Sequence, residues 1–364
     1  MRTNTGPDTP GLGSWLPSFL ALAVIWGTSF LFIKVGVEEL HPLWLTFARV
    51  GAGAAILLVV LAVTRDRLPR DPRLWGHLAV VAALGVAIPF TLFGYGEQRV
   101  SSVLAGIWNA ATPLVALPLA ALVFRTEPLT RRRVTGIAVG FLGVLVVLGV
   151  WRDLGGSQLT GQLMCFGAAM CYAVAIPYQK RFIAGRAGSG VSIAAGQLLM
   201  ALLQLAIVAP LLAGAPPAPT GLSLPVVLCV LALGALGTGL AFVLNLRVIR
   251  VAGASTSASV TYLMPVVATL VGVLILGEHL IWNQPVGAAI VLTGVAISQN
   301  ILGRLRASRA TRTPADVPAD HPSDQAVVSL GDLADLPRDP AIVSPDVAAV
   351  APAATRADPA TAPR

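Results

Sequence analysis

What most constrains this chain is the succession of long apolar runs that continues to about residue 302. The stretch "ALAVIWGTSFLFIKVG" at 21–36 is representative: almost unbroken apolar sequence carrying a Trp-Gly-Thr-Ser knot and one lysine. A helix that crosses the hydrocarbon core needs roughly 20 such residues. Runs of that kind are read at 14–36, 42–63, 74–96, 101–124, 133–150, 158–180, 190–212, 222–246, 254–277 and 282–302, ten in all. Only 12% of the 364 residues are charged and 55% are hydrophobic, with a mean hydropathy of +0.79. Soluble domains carry about a quarter charged residues, and one soluble core could not absorb this much apolar surface. The solvent of these runs is lipid, and the expected fold is an all-α polytopic membrane protein with ten transmembrane helices.

A net charge of +8 suggests nucleic acid until the placement of the cations is examined. Arg65, Arg67, Arg70 and Arg73 fall in one connection, Arg125 and Arg131 to Arg133 in another. Lys180, Arg181 and Arg186 follow, then Arg247 with Arg250, then Arg304, Arg306, Arg309 and Arg312. The intervening connections hold Glu38 with Glu39, Glu97 with Arg99, Arg152 with Asp153, no charge in 213–221, and Glu278 with His279. Every second loop is basic, as the positive-inside rule requires. Both termini are therefore expected in the cytoplasm, and no nucleic-acid partner is expected. The first apolar run is long and lacks a small-residue cleavage site, so it reads as a retained span. Cys165, Cys171 and Cys229 lie inside runs, at spacings that match no metal or redox motif. Residues 303–364 turn rich in Pro, Ala and Asp without periodicity, the composition of a disordered tail.

Two segments echo each other. "SSVLAGIWNAATPLVALPLAALVFRTEPLTRRRVTGIAVGFLGVLVVL" (101–148) matches "GASTSASVTYLMPVVATLVGVLILGEHLIWNQPVGAAIVLTGVAI" (253–297) at Pro113 and Pro265, Glu127 and Glu278, Gly136 and Gly287, and Gly143 and Gly294. Lys34 and Lys180 each end the first span of a half. An odd number of spans per half inserts the second half upside down, an arrangement of transporters with a midplane site. The expected organisation is a short N-terminus at 1–13, five-helix repeats at 14–150 and 151–302, and the tail at 303–364.

The "IWGTSF" of the first span, the arginine of "TFARVG" in the second, the mid-span prolines, and "LGEHLIWNQPVGAAIVLTGVAI" before the last span resemble the EamA branch of the drug/metabolite transporter superfamily. "FRTEPLT" departs from the "LGE"-like stretch which that family favours at this point of the first half. The resemblance spans about 15–302 and implies secondary transport of a small metabolite or drug-like solute across the cytoplasmic membrane, often as efflux. It also implies that spans one to four and six to nine form the cavity, while spans five and ten, with Gly136-x-x-x-Gly140 and Gly287 and Gly294, read as packing helices.

Read without the resemblance, polar side chains at depth are the candidates for a site. Proline frees the carbonyl four residues earlier, here those of Asn109 and Thr261, so Trp108, Asn109, Thr261 and Tyr262 flank paired kinks. Trp26 sits mid-span with Thr28 beside it, and its indole needs a partner. Arg49 lies roughly 10 Å inside its span at 1.5 Å per residue and must face protein or water, as an anion site or a helix tie. Tyr95, Tyr172 and Asn245 complete the set. Lys34 reads as an anchor snorkelling to the headgroups; no acid falls clearly mid-span, and Glu97, the nearest option for a buried-carboxylate proton relay, reads rather as half of a rim salt bridge. An intramembrane enzyme is the alternative of another class, with Ser189 in "RAGSGVS" as nucleophile; no later span supplies a histidine base. A membrane scaffold needs neither repeat nor kinks. Partners are expected to be a small-molecule substrate and membrane lipid, a homodimer remains open, and no cofactor or metal is expected.

Overall fold

The computed structural model describes residues 12–125, 128, 130–149, 156–186, 188–218 and 221–299. The expected tail, the segment around Arg152, most of the N-terminal 1–13 and Glu127 lie outside them. The described residues fold into helices named here in chain order: α1 (Leu12–Glu39), α2 (Pro42–Val63), α3 (Pro72–Glu97), α4 (Ser102–Val123), α5 (Arg131–Leu148), α6 (Gly156–Phe182) and α7 (Gly190–Ala213). Then come α8 (Leu224–Ala252), α9 (Thr256–Leu276) and α10 (Asn283–Gln299). Eight of these, all but α5 and α10, are long and apolar enough to cross a membrane. The element boundaries fall within a few residues of the apolar runs, except that α8 continues to Ala252. Large apolar side chains face outward along the helices, among them Leu142 at 59%, Leu211 at 76% and Leu274 at 78% exposure. In water these would be a liability; against acyl chains they are the expected outer surface.

Starts follow local chemistry. Pro42 and Pro72 open their helices after His41 and Asp71, whose side chains accept from Leu43 N and Arg73 N, the position where a missing N–H costs nothing. Ser101, Thr130 and Ser189 cap α4, α5 and α7 in the same way. That explains Ser189: its hydroxyl accepts from Ser192 N at 3.0 Å and donates to Asp66, the work of a helix cap rather than a nucleophile.

Four helices are not regular throughout. α3 and α8 each run for eleven residues before a wide π turn, Ala83–Ala87 in one and Ala235–Leu240 in the other. A π turn places one extra residue in the coil and is frequent at functional sites. α4 breaks at Ala111, just ahead of Pro113, and has its own π turn at Leu119–Val123. α9 starts its regular part at Met264 after a 3-10 turn over Ser259–Tyr262. Both mid-span prolines thus sit at real breaks.

α5 and α10 pack along each other through glycine. A Cβ on Gly294 would lie 2.3 Å from Gly140 N, and one on Gly136 would lie 2.5 Å from Ser298 N. Backbones this close leave no room for a side chain, the small-residue contact expected between membrane helices.

The connections sort by end. Arg186 pairs with Asp71 at 3.5 Å, and Ser192 Oγ donates to Arg67 O at 2.7 Å, so the arginine-rich connections after α2 and α6 meet at one end. At the other end, Glu39 accepts from Ser223 N at 2.8 Å. There Glu278 accepts from Ser102 N at 2.8 Å, Ser102 Oγ at 3.0 Å and Val103 N at 3.1 Å. Each acid closes the N-terminus of a helix distant in sequence, supplying acceptors for orphan N–H groups.

Candidate functional site

A cavity of about 240 Å³ opens between α1, α2, α3, α4, α6, α8 and α9. Its wall includes Trp26, Arg49, Asn109, Tyr172 and Thr261, five of the residues singled out from sequence. The two proline breaks abut: Asn109 Nδ2 donates to Met264 Sδ at 3.8 Å, joining the turn ahead of Pro113 to the residue that precedes Pro265. Gly85 and Gly237, one from the π turn of α3 and one from that of α8, also face the cavity. The widened turns therefore bound the same space that the prolines bend around.

Arg49 is the charged element of the wall. It is only 6% exposed, its Nε donates to Thr238 Oγ1 at 3.0 Å, and its Cζ stands 3.6 Å from the Phe90 ring centroid. Thr238 reaches it because α2 and α8 touch closely: a Cβ on Gly53 would lie 2.6 Å from Thr238 Cγ2, and one on Gly234 would lie 2.5 Å from Ala52 Cβ. Among the described residues no carboxylate comes within ion-pair distance of Arg49. A guanidinium fixed at Nε and stacked on an aromatic face keeps the rest of its planar fork for a carboxylate-like group. Around it stand Trp26, Phe30, Phe90, Phe93, Tyr172 and Phe242, apolar surface with π faces that also attract a cation. Few polar groups in a mostly aromatic cavity is the usual composition of a small-molecule site.

The other sequence candidates lie off this wall. Trp108 is 2% exposed and packs at 64° against Phe166, ring centroids 5.4 Å apart. Tyr95 turns to His41, its hydroxyl 3.3 Å from Nε2. Asn245 accepts from Ser257 Oγ. Tyr262 packs against the core beside α1, and Thr28 is half-buried outside the wall while Ser29 lines it. The Asn109 carbonyl, freed by Pro113, accepts from Thr112 Oγ1 at 2.7 Å, so the helix satisfies it internally and it is not left for a solute.

Two expectations near the end of the bundle are corrected. Lys34 does not snorkel outward; its Nζ donates to the carbonyls of Glu97 at 2.5 Å and Val100 at 2.9 Å. The sequence held the signal, because Trp26, Ser29, Phe30, Ile33 and Lys34 recur at helical spacing on one stripe. Glu97, expected in a rim salt bridge, is instead 0% exposed and continues the stripe of Phe90 and Phe93 on α3. Sequence reasoning missed these aromatic neighbours, although their spacing from Trp26 and Glu97 would have placed them.

The fold and cavity together define a multi-pass helical membrane protein built around a small central cavity. The chain belongs to the EamA-like transporter family, whose model matches residues 13–149 and again 159–299, and it is a membrane transporter of that family. It is 28% identical over 312 residues to a probable amino-acid metabolite efflux pump of Salmonella typhimurium, covering 81% of this chain and 97% of that one. It is 30% identical to a probable terminal-alkyne amino-acid exporter of Streptantibioticus cattleyicolor, covering 79% and 94%. An uncharacterized inner membrane transporter of Escherichia coli is 29% identical, covering 73% and 85%. A solved crystal structure superposes with a TM-score of 0.54 at 20% identity, covering 80% of this chain and 98% of that one, which is a likeness of fold.

Proposed function

We propose that this protein exports small amino-acid-like metabolites by alternating access, with Arg49 receiving the carboxylate. The observation that carries this reading is the Arg49 guanidinium, buried in the cavity wall with no carboxylate partner among the described residues. The aromatic wall suits the apolar side chain and the ammonium of such a solute. Relatives named for amino-acid efflux and amino-acid export support the class. In the same reading α5 and α10 also cross the bilayer, making ten spans in two inverted halves, and the arginine-rich end faces the cytoplasm with both termini.

The test is uptake into proteoliposomes of radiolabelled L-phenylalanine beside phenethylamine, which lacks only the carboxylate. Wild type should prefer the amino acid. Arg49→Lys should lower its uptake about tenfold, as expected when a charge-assisted fork is lost, and leave the amine unaffected. Equal handling of both compounds by wild type would sink the carboxylate role.

A further inference from the structure

Glu97 ends α3, is 0% exposed, and neither of its carboxylate oxygens meets a hydrogen-bond donor among the described residues. Its neighbours at the same end of the bundle are supplied: Glu278 accepts from three donors and Glu39 accepts from Ser223 N.

The enclosure is built by close helix contact. A Cβ on Gly96 would lie 2.5 Å from Cys165 Sγ, and one on Gly161 would lie 2.7 Å from Arg99 Cβ. These two glycines bring α3 and α6 together directly beside Glu97. The charged and titratable groups around the carboxyl are Lys34 from α1, Arg49 from α2, Glu278 beyond α9 and Cys165 from α6, with Tyr95 and Arg99 nearby in its own segment. Lys34 is spent on the Glu97 and Val100 carbonyls, and Arg99 Nη1 donates to Tyr95 O at 3.0 Å. Glu278 contributes a second negative charge.

An ionised carboxylate with a lysine in the vicinity would be drawn into hydrogen bonds with it; this one makes none. A carboxylate sealed from water without a donor is strongly penalised, whereas the neutral acid is not. We propose that Glu97 is a proton-binding site, filled when this end of the bundle closes over it and emptied when the end opens. On closure a carboxylate oxygen forms an O–H bond with a proton given up by hydronium; on opening the acid returns that proton to water. Acidity on the Glu97 side thereby favours the closed form seen here. The opening step rests on the transporter reading, while the bound proton does not.

Infrared difference spectroscopy of the full chain in lipid reads the proton directly. Wild type at neutral pH should show the C=O stretch of a protonated carboxyl, lost on raising the pH and missing in Glu97→Gln. The second readout is maleimide labelling of Cys165, with Cys171 and Cys229 replaced by serine. Labelling should rise with pH several-fold more in the wild-type background than in Glu97→Gln, whose amide cannot ionise and keeps the end shut. A wild-type spectrum without the band, or superimposable labelling curves, overturns the proposal, and the wild-type titration stands even where the glutamine variant misfolds. Protein that shows the band but moves no amino acid refutes the substrate reading alone; protein that transports without the band refutes this one.

Discussion

Glu278 shows how far one residue reaches. Its carboxylate holds the first two amides and the hydroxyl at the start of α4, and a Cβ on Gly272 would lie 2.7 Å from its Oε2, so the acid is seated between α9 and α4. Glu278→Ala leaves those donors buried and unmet, a loss of about 1–3 kcal/mol. The expected outcome is a lower melting temperature of the detergent-solubilised protein, partly restored in Glu278→Gln, whose amide oxygen still accepts. A melting temperature equal to wild type for Glu278→Ala would show the contact to be energetically idle. Sequence singled out Glu278 through the repeat but not its partner, since the two lie 176 residues apart and nothing local marks the pairing. Trp26, Asn109 and Thr261 were legible because depth and proline chemistry are local properties. Trp108 was misplaced for the same reason: adjacency to Asn109 along a helix turns the next side chain by about 100 degrees, away from the cavity.

At the scale of elements, prolines announced their breaks, whereas the π turns at Ala83–Ala87 and Ala235–Leu240 gave no sign. One extra residue in a coil changes no composition and blurs no apolar run, so periodicity passes over it. The glycine seam of α5 and α10 was legible, as small residues at regular spacing in an apolar run have few other uses. It makes a sharp prediction. Gly294→Leu places a side chain where Gly140 N already stands within 2.3 Å of a Cβ, and should separate the pair, cutting yield and thermal stability of the purified protein. Leu142→Ala on the exposed face of α5, at 59% exposure, should change the stability by no more than about 0.5 kcal/mol. Comparable damage from both would mean that the seam is not special.

For the whole molecule, the alternation of basic and poor loops matches the grouping of loops by end. Asp71 and Arg186 meet at one end, and Glu39 and Ser223 at the other. Geometry thus groups the loops, and the side that the proposed function gives each group is open to direct test. Single cysteines introduced at 36–41 or 213–218 should react with a membrane-impermeant maleimide added to intact cells, and cysteines at 68–72 should stay protected until the cells are lysed. The reverse pattern would turn the transporter over and move Glu97 to the cytoplasmic end.

The reach of Glu278 across the chain also has a consequence for how the protein is made. Ser102 is synthesised long before its acceptor, and at about 5–20 residues per second the ribosome needs roughly 10–35 s to cover the distance. Throughout that interval the first two amides of α4 lack the acceptor that Glu278 supplies, as they do in any chain whose synthesis stops short of it. A helix end with unmet donors is less stable than a satisfied one, and a less stable chain is degraded faster. Pulse-chase labelling should therefore find the Glu278→Ala chain cleared faster than wild type, a lifetime shortened by the loss of a single acid that arrives late.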